Sequence, residues 1–101
     1  MNLVYRPAYL ADVAECADYL ASVASEEVAA AWYAALKMAL ADLKRTPELG
    51  RVRQDLPVEA VRTVNLRKYP DYLVFYRLTP QGVELMRVRH GAMHLPALFA
   101  E

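Results

Sequence analysis

The segment YPDYLVFYRLTPQGVELMRVRHGAMH, residues 69–94, decides the fold of this chain. Two runs of aliphatic, aromatic and β-branched residues flank TPQG, in which proline comes second and glycine fourth, the composition of a type I turn. The segment therefore predicts a β-hairpin with strands over 69–78 and 83–94. Side chains alternate between faces along a strand, so the second run divides into two sets. One set is Val83, Leu85, Arg87 and Arg89, and the other is Glu84, Met86, Val88 and His90.

Arg87 and Arg89 thus point the same way. Together with Arg77 of the first strand, they are expected to form a cationic strip along the sheet. An alternative remains open, in which these arginines only cover a solvent-exposed face.

Upstream of the hairpin, the sequence predicts a short strand over 2–6, two helices, a loop and a third strand. The first helix starts at Pro7, whose missing N–H suits a first helical position, and ends near Ala24, with Asp12 on its polar face. The second helix is capped by Ser25 and stopped at Thr46. Residues 48–59 should form a loop and residues 61–68 a strand. The predicted fold is α+β, β-α-α-β-β-β, with a helical hairpin packed on a small, mainly antiparallel sheet.

Length and composition indicate one domain over residues 1–101, soluble and cytoplasmic, because no apolar run is long enough to span a membrane. The net charge is zero, which argues against generic nucleic-acid binding. The charge is nevertheless uneven: residues 1–50 carry −3 and residues 51–101 carry +3. The second half can therefore make one directed contact with an anion or an acidic partner.

Motifs for cofactors and metals are missing from the sequence. The single cysteine, Cys16, fits a buried position in the first helix and excludes a cysteine cluster. His90 and His94 stand four apart, but Gly91 lies between them and no zincin pattern follows. We expect no metal and no cofactor.

Arginine, tyrosine and histidine side chains are the remaining candidates for chemistry. A metal-free ribonuclease needs a base, an acid and cations near the phosphate, and these residue types suffice for that. The same types also anchor protein interfaces, so a binding surface is the alternative.

Three motifs in order carry a family resemblance: TPELGRVR after the second helix, VFYRL in the penultimate strand and MRVRHGAMHLPALF at the end. With the β-α-α-β-β-β order, the chain resembles the ParE branch of the RelE/ParE toxins of bacterial type II toxin-antitoxin systems. The resemblance implies a growth-inhibiting, plasmid-stabilising toxin that a ParD-like antitoxin neutralises, in a heterotetramer or larger complex. ParE-type members inhibit DNA gyrase by stabilising its cleaved-DNA complex, whereas RelE-type members cut mRNA on the ribosome.

ParE-type and RelE-type members share one fold, so only individual residues can show to which branch a chain belongs. RelE-type nucleases place a reactive His or Tyr near the C-terminus, but here Gly91 follows His90 and the last aromatic is Phe99. We therefore expect a non-enzymatic gyrase inhibitor without direct nucleic-acid binding. The alternative is a ribosome-dependent endoribonuclease using His90, Tyr69, Tyr72 and Arg67. A further alternative is a relic that has lost toxicity, suggested by Ala92-Met93-His94 where ParE-like chains usually continue with Arg and Asp.

The interpretation as a gyrase inhibitor neutralised by an antitoxin predicts two contact surfaces. The predicted gyrase contacts are Arg51, Arg53, Arg77, Arg87, Arg89, His90 and His94. The predicted antitoxin contacts, beside a hydrophobic groove of the helical hairpin, are Tyr9, Val13, Leu20, Trp32, Leu36, Leu95, Leu98 and Phe99. An open sheet edge offers the antitoxin a second mode of binding, by strand addition.

Overall fold

The computed structural model of this chain describes residues 1–91 and 99. Its elements, in chain order, are β1 (Leu3–Tyr5), α1 (Pro7–Val23), α2 (Glu26–Arg45), β2 (Arg51–Val52), β3 (Arg62–Asn65), β4 (Tyr72–Thr79) and β5 (Gly82–His90). The strands form one sheet in the order β1-β5-β4-β3-β2, in which β1 pairs parallel with β5 and the other three pairs are antiparallel. The predicted α+β fold, with a helical hairpin on a mainly antiparallel sheet, is confirmed. Within the described residues, neither helix has the length and apolar character needed to cross a membrane.

Local sequence signals account for both helices. Pro7 is the first residue of α1, and the Ser25 hydroxyl accepts a hydrogen bond from the Val28 N–H at 3.1 Å at the start of α2. Acidic residues in the first turn of α2 and basic residues in its last turn match the helix dipole. These signals act between near neighbours, so the sequence alone predicts them.

The connection after α2 differs from the prediction, because residues 48–59 are not only a loop. They contain β2, which pairs antiparallel with β3 through Arg51 opposite Thr63 and Val52 opposite Arg62. A strand of two residues has no alternation that a sequence pattern can reveal. β3 is also shorter than predicted, since the Asn65 side-chain amide donates to the Pro70 carbonyl at 2.6 Å and the chain turns there.

A β-bulge in β5 corrects the predicted division of its faces. Phe75 pairs with Arg87 but the next residue of β4, Tyr76, pairs with Leu85, so Met86 is an extra residue in the ladder. Beyond the bulge the alternation is inverted. Val88 therefore faces the helices with Val83 and Leu85, whereas the prediction placed it on the other face.

Two hydrophobic clusters cover the two faces of the sheet. The larger lies between the sheet and the helices and includes Trp32, which has no exposed surface and packs edge-on against Tyr72 with ring centroids 5.5 Å apart. The smaller cluster, on the opposite face, consists of Leu56, Val61, Phe75 and Met86, with Val58, Leu73 and Phe99 packed against it. The sheet is thus apolar at its centre on both faces.

Candidate functional site

The carboxylate of Asp12 in α1 is the centre of a hydrogen-bond network at the edge of β5. Asp12 is 2% exposed. It accepts hydrogen bonds from Arg87 Nε at 2.7 Å, Arg87 Nη2 at 2.9 Å, the Val88 N–H at 3.1 Å and Arg89 Nη1 at 3.1 Å. β1 pairs with β5 only from Val83 to Leu85. The Asp12 side chain therefore satisfies a backbone donor that β1 does not reach.

This network changes the interpretation of the cationic strip. Arg87 and Arg89 lie opposite Phe75 and Leu73, so they share with Arg77 the sheet face away from the helices, as the strip requires. However, Arg87 and Arg89 both pair with Asp12, and Arg77 pairs with Glu84 on the neighbouring strand. Asp12, which the sequence places on the polar face of α1, is buried, and its burial was not predicted. Helical spacing missed it because its partners are 75 and 77 residues away.

Carboxylates raise the pKa of two arginines in the predicted target surface, Arg89 and Arg53. Burial lowers the pKa of Arg89, but hydrogen bonds and charges from Asp12 and Glu15 outweigh this and raise it overall. Arg53 and Asp55 form two hydrogen bonds, at 2.8 and 2.6 Å, which raise the pKa of Arg53 and lower the pKa of Asp55 to about 2. Arg51 is exposed on β2. The remaining predicted contact, His94, lies outside the described residues.

The first two motifs of the family resemblance meet around the hydroxyl of Tyr76. This hydroxyl accepts a hydrogen bond from the Gly50 N–H at 2.7 Å and donates one to the Pro47 carbonyl at 2.8 Å. Arg62 Nη1 donates to the carbonyls of Gly50 and Glu48, at 2.8 and 3.2 Å. A Cβ on Gly50 would lie 2.6 Å from the Tyr76 hydroxyl oxygen and 2.9 Å from the Thr63 backbone oxygen, so a larger residue would force its neighbours to shift. These residues fix the chain between α2 and β2.

A cavity of about 380 Å³ lies between α1 and the ends of β4 and β5. Its lining residues are Glu15, Cys16, Tyr19, Tyr72, Arg89 and His90. Tyr72 and His90 are opposite each other in the β4–β5 ladder, and their rings meet edge to face with centroids 5.1 Å apart. Burial raises the pKa of Tyr72 above its ordinary value.

Cys16 lies beside this cavity in the buried position that the sequence predicts. Its Sγ is 3.9 Å from the Val88 carbonyl oxygen. Burial raises the pKa of the thiol to about 11, although Arg89 opposes the shift. A protonated, buried thiol is a poor nucleophile, so the geometry does not favour cysteine chemistry.

The candidate nuclease residues are only partly brought together. Tyr72 and His90 line the same cavity, but Arg67 pairs with Asp42 of α2 at 3.1 Å, and Asp42 is not a lining residue. Tyr69 packs against the larger hydrophobic cluster. Among the described residues, no group of three or more His, Cys, Asp or Glu side chains is placed to hold a metal ion.

Most of the predicted antitoxin contacts belong to the protein's own core. Tyr9, Trp32 and Leu36 are buried, and Val13 and Leu20 pack against the same cluster. Phe99 packs edge-on against Phe75, on the other face of the sheet. Leu95 and Leu98 lie outside the described residues.

The surface of the helical hairpin nevertheless has an apolar groove of about 330 Å³. Its lining residues are Tyr5, Tyr9, Leu10, Val13, Tyr33, Leu36, Lys37 and Leu40. Leu10 and Tyr33 are about half exposed. The groove continues over the outer face of α2, formed by Ala30, Tyr33, Ala34, Lys37, Met38 and Ala41. None of the predicted antitoxin contacts belongs to this outer face of α2.

The fold and these surfaces define a class of small α+β protein, with a helical hairpin on one face of the sheet and an apolar cluster on the other. A family model described as "ParE toxin of type II toxin-antitoxin system, parDE" matches residues 3–95. The chain therefore belongs to the ParE toxin family of type II toxin-antitoxin systems.

A solved structure agrees with this assignment at the level of the fold. The structure described as the chromosomal ParDE TA system from P. aeruginosa is similar to this chain, with a TM-score of 0.75 and 19% sequence identity. The similarity covers 89% of this chain and 95% of the other. No curated protein sequence matches the chain.

Proposed function

We propose that this toxin arrests growth by binding DNA gyrase in the cytoplasm and stabilising its cleaved-DNA complex, without chemistry of its own. The observation that carries the proposal is the ParE family match over residues 3–95. The geometry supports a binding protein over a nuclease, because Arg89 beside Tyr72 and His90 is paired with Asp12 and Glu15, and Arg67 does not line their cavity. A nuclease needs such cations to stabilise a developing phosphate charge.

Purified gyrase and supercoiled plasmid test this proposal directly. With ATP and the toxin, we expect linear plasmid after detergent and protease treatment, while mRNA on programmed ribosomes stays intact. Cut mRNA with normal supercoiling would instead establish the endoribonuclease alternative, with Tyr72 and His90 as its first candidates. Normal growth of cells that contain soluble, antitoxin-free protein would favour the relic.

We further propose that a ParD-like antitoxin covers the apolar groove with an amphipathic helix, in a heterotetramer or larger complex. The groove exposes Leu10 and Tyr33 beside the alanine-rich outer face of α2, where small side chains allow a second helix to approach closely. Lys37 is the charged residue of both surfaces, and its Nζ lies 5.7 Å from the Tyr33 ring centroid. An acidic side chain on the antitoxin helix is expected to face it.

Single substitutions test this docking surface. Leu10→Glu and Tyr33→Glu place charges in the groove without opening the core, so they should weaken antitoxin binding at least about tenfold and preserve the thermal midpoint. Tyr19→Glu is the matched control, because Tyr19 is an equally exposed aromatic that does not line the groove. Equal loss of binding in all three variants would contradict the proposed site, and light scattering of the complex gives its stoichiometry.

A further inference from the structure

One carboxylate pairs with two of the four exposed basic residues that lie at the end of α2 and just after β3. The four basic residues are Lys44, Arg45, Arg67 and Lys68, and we call them the cationic corner. Asp42 joins the two arginines: its Oδ2 lies 3.1 Å from Arg67 Nη2, and its Oδ1 pairs with Arg45 Nη2. A single side chain thus holds two guanidinium groups from different parts of the chain in a fixed relation.

The corner carries an excess of positive charge. The side chains of Arg45 and Arg67 are each 72% exposed, whereas that of Asp42 is 18% exposed. A guanidinium has five N–H donors, so sharing one carboxylate leaves most of them directed at solvent. By contrast, Arg53 has a carboxylate partner of its own, Asp55.

We propose that the cationic corner binds the phosphate backbone of duplex DNA. The proposal rests on the gyrase function above, since it identifies the bound DNA as the segment that gyrase holds. Guanidinium groups match phosphate oxygens in geometry and charge, and the ion pairs with Asp42 reduce the conformational entropy lost when they bind. The four side chains of the corner are all cationic, which suits a polyanion.

Because the net charge of the whole chain is zero, we expect the contact between the cationic corner and DNA to be weak. Four cations can neutralise about four phosphates, and the rest of the surface provides no long-range attraction. The contact is therefore weak for free DNA and becomes effective when gyrase presents both binding surfaces at once. This contact departs from the expectation of no direct nucleic-acid binding, although it is too local to give the generic binding that composition argues against.

Fluorescence anisotropy of a short labelled duplex, between about 20 and about 200 mM salt, tests the corner without gyrase. We expect weak binding by the wild-type toxin, with log K falling against log salt at a slope of about −3.6, the value for four phosphates. The double variant Arg67→Gln, Lys68→Gln should have a slope shallower by about 1.8. Its fold should persist, because the ion pair that it loses is exposed.

The control is Arg6→Gln, at an exposed arginine outside the corner, and it should leave the slope unchanged. The proposal is overturned by any of three results: no DNA binding at about 20 mM salt, a slope of the corner variant equal to that of the wild type, or tighter binding of labelled polyglutamate than of DNA. The third result would identify an acidic protein as the partner.

A gyrase experiment separates failure of this proposal from failure of the gyrase function. If the wild type produces linear plasmid, the corner variant should need at least about ten times more toxin than the control variant for the same yield. Equal requirements would overturn the corner's role. Salt-dependent DNA binding without any linear plasmid would support the corner and overturn the gyrase function.

Discussion

The carboxylate of Asp12 lies against the guanidinium of Arg87, with Oδ2 2.7 Å from Nε and Oδ1 2.9 Å from Nη2. The two residues are 75 positions apart in the chain, so this pair forms only when the chain is folded. It attaches α1 to the part of β5 that β1 leaves unpaired. The arginine pattern that suggests a target surface is therefore also part of the internal structure.

Asp12→Ala should lower the free energy of unfolding by about 3 kcal/mol, because it leaves two arginines without their buried partner. Urea denaturation measures this. Glu15→Ala is the control: Glu15 also pairs with Arg89 but its side chain is 66% exposed, so the loss should stay below about 1 kcal/mol. Similar losses in both variants would contradict a special role for Asp12.

By the same reasoning, reversing the charge of Arg87 or Arg89 should destabilise the fold, and any loss of toxicity must be compared with stability.

Tyr76→Phe should cost about 1–3 kcal/mol, since it removes the partner of the buried Gly50 N–H. Gly50→Ala should cost more, because its Cβ would lie 2.9 Å from the Thr63 backbone oxygen, which cannot move easily. Thermal unfolding ranks the two variants. The double variant Gly50→Ala, Tyr76→Phe separates the two contacts. If it were as stable as Tyr76→Phe alone, the contact with the Tyr76 hydroxyl, and not that with the Thr63 backbone, would account for the cost of Gly50→Ala.

Gly82→Ala should detach β1 from the sheet. Gly82 has φ +138°, and an added Cβ would lie 2.2 Å from the Asn2 carbonyl oxygen. That oxygen accepts the Val83 N–H at 2.8 Å, so hydrogen exchange at Val83 should become much faster. Gly91→Ala, where the nearest atom is 3.2 Å away, is the control and should leave this exchange unchanged. Unchanged protection of Val83 in the Gly82 variant would show that β1 tolerates the side chain.

Cys16 should react with iodoacetamide at pH 8 about 100-fold more slowly in the folded protein than in urea, from its ionisation alone. The reason is that burial raises the pKa of the thiol from 9.0 to about 11. The raised pKa means that the folded state binds the proton more tightly. The stabilising contribution of the thiol is therefore complete below about pH 9 and is lost between about pH 9 and about pH 11. Mass spectrometry of alkylation against time measures the rate, with Cys16→Ser as the blank, and equal rates in both states would contradict burial.

Local sequence determined the helices, their ends and the hairpin of β4 and β5. Pro7 and Ser25 act on the backbone within one turn, and the turn residues 79–82 act on adjacent strands, so their effects do not depend on distant contacts. The family motifs also lie in the sequence. Two of them are now explained physically, because Gly50 and Tyr76 meet in a single hydrogen bond.

Only the tertiary structure decided how the charged residues are used. The bulge at Met86 inverted the faces of β5, and folding brought Asp12 to Arg87 and Arg89. As a result, charges that appear available in the sequence are neutralised, and the exposed excess lies instead at the cationic corner around Asp42. The physical reason is that an ion pair depends on distances in space. A sequence gives the charge of each side chain but not the distance to a partner 75 residues away.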